Sequence, residues 1–187
     1  ISPPCRVTRC RAIASPSPLP APCTRAGSAW TNMKADADRD LTTIDLGNQD
    51  DKTDSYIMAA ALAYRAYKHI APVDSATAET YRVRVQAALA LCPAQLNGFI
   101  ETSLKISRQV QAIVIAANLV EWDDASVRDS FRAMCVRLLG TKATRPWDAY
   151  QAEDGRSLPS THEDRPNNWG NHAGAARAAL SIYLRDF

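Results

Sequence analysis

The sequence predicts an all-α fold built from antiparallel helix pairs, and three observations carry that prediction. From Ser55 onward, apolar residues recur every three or four positions in five separate segments, the period of one helix face. Alternation of apolar and polar residues, which marks a half-buried strand, is nearly absent. Most of the segments are separated by short breaks, and short connections set successive helices antiparallel. With 187 residues, 46% of them hydrophobic and 22% charged, the chain is long and apolar enough for one domain with its own core.

Taken in order, residues Ile1 to Ala29 show no period of either kind. The stretch "SPSPLPAPC" cannot sustain a helix, because each proline removes a donor and restricts the residue before it. This segment is expected to be a disordered leader, with the folded domain spanning residues 30–187. The first helical segment runs from Ser55 to His69, with Asp54 as the expected N-cap, and buries Ile57, Ala61 and Tyr64. The second opens near Asp74 or Ser75, buries Tyr81, Val85, Ala88, Leu89 and Cys92, and is expected to stop at Pro93. The third, from Thr102 to Glu121, sets Ile106, Val110, Ile113, Val114 and Ala117 on one face. The fourth, from Ala125 to Leu139, buries Val127, Phe131, Met134, Cys135 and Leu138, and Gly140 is placed to end it. No period is visible from Thr141 to Pro166, a length that in a compact domain usually marks a functional loop or disorder. The fifth segment starts at Asn167 and Asn168 and buries Trp169, Ala173, Ala176, Leu180 and Tyr183. No sequence repeat recurs, so the chain is not a consensus-type solenoid.

Composition narrows the partners. A formal net charge of +2 is too small to attract nucleic acid or an acidic membrane surface through a global field. No apolar run approaches the length that spans a bilayer. The five cysteines, Cys5, Cys10, Cys23, Cys92 and Cys135, match no zinc-ligand spacing, and they read as buried or idle thiols. Neither a metal nor a cofactor is expected. No signal peptide is visible, and the opening at Ile1 reads as a fragment or a processed product.

Candidate chemistry concentrates between Thr161 and Ala173, where two histidines, two carboxylates, one arginine and three asparagines fall within thirteen positions. The plain reading is a Pro-Asn-Asn helix start, with an asparagine satisfying the unpaired N–H groups of the first turn. The functional reading adds that a helix N-terminus receives a carboxylate or oxyanion, beside donors from Arg165 and His172. Asn168 and His172 lie four residues apart, so one helical turn stacks them on the same face. His172 reads either as a ligand-facing imidazole or as a core histidine bonded to a neighbouring helix. His162, Glu163 and Asp164 sit in the loop, where they are expected to hold it against Arg165 or a neighbouring helix. Trp169 reads as core or as a groove wall, and Trp122 and Trp147 as sugar platforms or as packing. Arg108, on the polar flank of its helix, can reach an anionic ligand.

On these residues the chain resembles a known family. "SLPSTHEDRPNNWGNHAGAARAALSIYLRD" looks like the characteristic segment of the bacterial alginate-lyase-like proteins, a family of polysaccharide lyases. "DLGNQDDKTDSYIMAAALAYRAY" and "ISRQVQAIVIAANLVEW" are similar to its earlier helices, so the resemblance covers most of Trp30 to Asp186. It implies that the helix pairs form part of an α/α toroid. It also implies cleavage of an anionic uronate polysaccharide by β-elimination, and a secreted or periplasmic location. Removing the proton alpha to a carboxylate requires that carboxylate to be neutralised, because the intermediate gains negative charge there. On the resemblance Asn168 fits that task, with Asn167 beside it, and His172 is the candidate base; the reading of the residues themselves adds Arg165, His162, Trp169 and Arg108 as substrate contacts. Two features depart from the family pattern. Trp169 stands where the family places histidine directly after the asparagine pair, and only Tyr183, Arg177 and Arg185 follow where the family carries its tyrosine and arginine.

Two rival classes remain on the sequence. One is a helical carbohydrate-binding or scaffold protein without turnover. The other is a glycoside hydrolase using Glu163 and Asp164, which needs two carboxyl groups about 5–9 Å apart across a sugar. Adjacent residues point their side chains apart, which counts against that pairing.

Overall fold

A computed structural model describes residue 25 and residues 27–96, 100–140 and 150–185. Among them are seven helices and no strand: α1 (Ser28–Ala37), α2 (Thr53–His69), α3 (Ser75–Gln95), α4 (Ser103–Leu119), α5 (Ala125–Leu139), α6 (Leu158–Asp164) and α7 (Asn168–Leu184). The protein is all-α.

Helix α4 is the centre. Its sequence is apolar over most of its circumference, and Leu104, Ile106, Val110, Ala112, Ile113, Val114, Ala116 and Ala117 are all buried. Helices α2 and α7 flank it in the same direction. At the start of α4, the buried Gln109 side chain donates to the backbone carbonyls of Asp45 and Asn48, just ahead of α2. At the far ends of the same two helices, Lys68 pairs with Glu121. Helix α7 is aligned likewise: its early residue His172 faces Gln111 of α4, while its late residue Tyr183 meets Phe131 at 5.8 Å, beside Trp122 just past the end of α4. The helices between them run the other way. At the end of α3, Gln95 accepts from Leu46 N–H (2.7 Å) and donates to the Ile44 carbonyl (2.6 Å), next to the start of α2. Near the start of α3, Arg82 reaches Asp123 and the Glu121 carbonyl beyond the end of α4. One layer is therefore α2, α4 and α7 in parallel; α3 and α5 form the antiparallel layer behind it.

Local chemistry sets the boundaries. Asp74 caps α3 by accepting from Thr77 N–H, and Asp124 caps α5 by accepting from Ser126 and Val127 N–H. Gly140 ends α5 in the left-handed conformation (φ 61°) that a residue with a side chain resists. Expectation and structure differ at three places. Asp54 does not cap α2: Lys52 holds the cap position, and Asp51 supplies the capping oxygen by accepting from Thr53 N–H (3.0 Å) and its hydroxyl (2.7 Å). Pro93 does not stop α3, which continues to Gln95, because a proline in the last turn costs only its own missing bond and crowding of one carbonyl. The stretch before Pro166 is not wholly irregular, since α6 forms within it behind a Ser157–Ser160 capping box.

Helix α1 begins at Ser28, two residues before the expected domain boundary, and buries only Ala37. It packs along α2, where the Trp30 and Tyr67 rings meet at 5.6 Å, and α3 ties down its end: Tyr81 donates to Asp38, and Arg84 to the carbonyls of Ala37 (2.9 Å) and Arg39 (2.5 Å). The residues before Arg25, with Cys5, Cys10 and Cys23, lie outside the described residues, as does Trp147. Cys92 and Cys135 are buried free thiols, and burial pushes Cys92 up to about 12. Val127, Trp169 and Tyr183 are half-buried rather than buried. No helix among the described residues is long and apolar enough to cross a membrane.

Candidate functional site

Parallel alignment of α2, α4 and α7 brings their N-terminal portions to one edge, where they frame an open cleft of about 610 Å³. Its walls come from three separate parts of the chain: the 49–55 segment leading into α2, Arg108 and Gln109 of α4, and His172 of α7.

The α2 wall is a loop fixed by its own side chains. Asp45 accepts from Gly47 N–H (2.8 Å) and Asn48 from Asp50 N–H (3.0 Å), two Asx-type bonds that hold the backbone in turns, and Asp51 accepts from Asp45 N–H (2.8 Å), which closes the loop on itself. Gln109 anchors this loop from below. Its amide nitrogen serves both loop carbonyls, and its oxygen is buried with no partner. Asp54, in the first turn of α2, is only 8% exposed. Its carboxyl meets Ser55, through the backbone N–H and a long 3.4 Å contact with the hydroxyl, and forms no ion pair among the described residues. Burial raises its pKa above the ordinary aspartate value. The Asp51 charge adds to the rise, while Ser55 and the Arg108 guanidinium oppose it.

Opposite stand the basic groups. Arg108 is exposed on α4, and His172 is half-buried on α7 with Nδ1 3.5 Å from the Gln111 amide. Asn168 opens α7 one turn earlier on the same flank, exposed and about 6 Å along the axis from His172. Of the residues singled out in the sequence, the structure thus brings Arg108 and His172 into one cleft and sets Asn168 along the helix from them.

The others belong elsewhere. Asn167 is the N-cap of α7, and its side chain accepts from Trp169 N–H at 3.0 Å. Arg165 ends α6 and lies over the Trp169 ring at 5.1 Å. His162 lies in α6, not in a loop, with Nδ1 2.9 Å from the Arg177 guanidinium and its ring against Gly174. Two residues, or about 200° around the helix, separate His172 from Gly170 and from Gly174, so the α6 contacts lie on the other flank of α7 from the cleft. Glu163 and Asp164 pair with different arginines, Arg177 (3.5 Å) and Arg156 (3.4 Å), which answers the hydrolase pairing with two divergent carboxylates. Trp122 is half-buried, with its indole N–H on the Ala117 carbonyl (3.2 Å) and its ring against Phe131.

Sequence reasoning missed Asp54, Lys52 and Gln109 as cleft residues. A signal was present in "DLGNQDDKTDS", a run of Asx turns leading straight into a helix. Among the described residues, no group of three or more His, Cys, Asp or Glu is placed to hold a metal ion. Fold and site together define a two-layer all-α domain with a polar cleft at the N-terminal edge of its parallel helices. No family model, curated protein or solved structure matches the chain.

Proposed function

We propose that the protein is a polysaccharide lyase whose helix pairs form part of an α/α toroid, and that its cleft cleaves a uronate polymer by β-elimination. The observation that carries this reading is the meeting of Arg108 and His172, from two parallel helices, in one open cleft. In the reading, the Arg108 guanidinium and the Asn168 amide take the substrate carboxylate and stabilise the charge that develops on it. His172 removes the proton from the carbon alpha to that carboxylate. Parallel α2, α4 and α7 backed by antiparallel α3 and α5 is the layering that stacked helix pairs of a toroid require, and supports that arrangement. Such a polymer is met outside the cytoplasm, so the reading carries a secreted or periplasmic location with it.

One observation favours a second reading, a carbohydrate-binding protein without turnover. Among the described residues, no tyrosine lines the cleft to protonate a leaving oxygen. The Tyr183 ring packs edge-on against Phe131, and burial pushes its hydroxyl up to about 12.

The assay that separates the two is ultraviolet absorbance of the unsaturated product on several uronate polymers, with binding measured in parallel. Under the lyase reading, Asn168→Ala lowers turnover by about 10²–10³ and weakens binding much less, because it removes a donor needed mainly as charge develops. His172→Ala lowers turnover similarly while leaving the melting temperature near that of wild type. Binding without any unsaturated product refutes the lyase and leaves the binding protein.

A further inference from the structure

The proposed elimination needs an acid as well as a base, since the glycosidic oxygen that leaves must take a proton. No tyrosine is available in the cleft to give it, and Glu163 and Asp164 are ion-paired on the far flank of α7. One group in the cleft has the required surroundings. Asp54 projects from the first turn of α2 at 8% exposure, yet forms no ion pair among the described residues, Arg108 acting on it only at longer range. A carboxylate buried without an ion pair is costly to keep charged, and the group relieves that cost by holding its proton. The charged and titratable groups of its surroundings are Asp50, Asp51 and Lys52 on the loop, Arg108 on α4 and His172 on α7. Asp51 cannot take its place, because both its oxygens are occupied by backbone N–H groups, one at Thr53 and one at Asp45.

We propose that Asp54 is the proton donor of the cleft, held there as a neutral carboxylic acid that protonates the leaving glycosidic oxygen. This rests on the lyase reading. In the step, His172 takes the proton from the carbon alpha to the carboxylate, and the freed electron pair forms the double bond to the β carbon. The bond from that carbon to the glycosidic oxygen breaks, and the oxygen receives the Asp54 proton. The resulting imidazolium and carboxylate return to their starting states by exchange with water through the open side of the cleft. The direction of the Asp54 pKa agrees with this role, burial being its largest cause.

Two measurements on the full chain test it. The first is a carbon-13 NMR titration of the aspartate carboxyl groups, with the Asp54 signal assigned by its loss in Asp54→Asn. The Asp54 signal is expected to change at higher pH than that of a free aspartate; a change at or below the free-aspartate range overturns the proposal. The second compares kcat, KM and pH profile on the uronate polymer that gives the most unsaturated product. Asp54→Asn is expected to lower kcat by about 10²–10⁴ with KM little changed, and to abolish the fall in activity as pH rises through the Asp54 ionisation. Asp54→Glu, which keeps the acid, is expected to recover part of the loss, and thermal melts confirm that each variant is folded. Unsaturated product released by Asp54→Asn at the wild-type rate overturns the assignment and leaves the lyase standing. No unsaturated product from wild type on any polymer overturns the lyase, and the donor role with it.

Discussion

Gly170→Ala is the most direct test of how α6 and α7 are held together. Gly170 is buried in the first turn of α7, and a Cβ there would lie 1.9 Å from the Arg165 carbonyl oxygen, 3.1 Å from its carbon and 3.5 Å from the His162 carbonyl oxygen. Ordinary contact begins near 3.4 Å, so the obstruction must retreat by 1.5 Å, the difference between those two distances. It is backbone on both sides, with no rotamer to swing away. Overpacking typically costs about 1–3 kcal/mol, and a backbone obstruction belongs at the upper end. Replacing glycine within a helix returns up to about 1 kcal/mol of propensity, which leaves a net loss of about 2 kcal/mol or more. For a chain of this size that lowers the melting temperature by about 4–8 °C. Gly174 supplies the control from the next turn on the same flank. There the nearest atoms to an added Cβ, at 2.8 and 2.9 Å, belong to the His162 ring, the far end of an exposed side chain. That ring can rotate aside, so Gly174→Ala is expected to melt at or slightly above the wild-type temperature. Thermal unfolding followed by circular dichroism reads both. If Gly170→Ala melts no lower than Gly174→Ala, the close approach of the Arg165 carbonyl to α7 is wrong, and the separation of the α6 contacts from the cleft loses its support.

Two further outcomes follow from the cleft wall. Gln109→Glu replaces the donor that serves the Asp45 and Asn48 carbonyls with an acceptor, leaving buried groups unsatisfied at a cost of about 3 kcal/mol; hydrogen exchange should rise first across residues 45–51. Asp54 has a raised pKa, so the folded protein binds its proton more tightly than the unfolded chain, and stability falls as pH climbs from the ordinary carboxylate range through the folded value. Asp54→Asn removes that fall: its melting temperature should exceed wild type above this window and match it below, and a constant difference at every pH contradicts the burial argument.

The long helices were legible because their cores are local patterns. Ile106, Val110, Ile113, Val114 and Ala117 mark α4 by spacing alone, and all five are buried. Gly140 and Asn167 likewise act as the terminal residues their chemistry suggests. Helix α1 was not legible, because Ala37 is its one buried residue and what holds it, α2 along its flank and α3 at its end, comes from later in the chain. The seven residues of α6 are too few to show a period, although Ser157 and Ser160 wrote its start. At the site, Asn168 and His172 could be linked by a single helical turn, and Arg108 only as an exposed cation. Their common cleft with Asp54 depends on the parallel registration of three helices, which no local pattern encodes. The sequence predicts Asp54 as a cap because an aspartate before an apolar run usually is one; here Asp51 performs the capping, and Asp54 lies inside the helix.

That displacement by three residues has a consequence for how a substrate would lie. Three helices present the positive ends of their dipoles to one edge, which favours an anion there. With Asp54 neutral, the α2 side of that edge carries the charges of Asp50 and Asp51, whereas the α4 side carries Arg108, with the His172 imidazole beside it on α7. Lys52 is the cation on the acidic side, so the imbalance between the two walls remains. A uronate unit entering this field would turn its carboxylate toward Arg108 and its uncharged glycosidic oxygen toward α2. The proton to be removed sits beside the carboxylate, and the oxygen to be protonated lies across the sugar from it. The polarity of the walls therefore sets base and acid on the sides where the proposed elimination needs them, His172 next to the arginine and Asp54 opposite. Charge reversal at Arg108 bears on this orientation. Arg108→Glu should weaken binding of a uronate polymer far more than binding of a neutral polysaccharide of similar length, and equal weakening of both would mean that the carboxylate lies elsewhere.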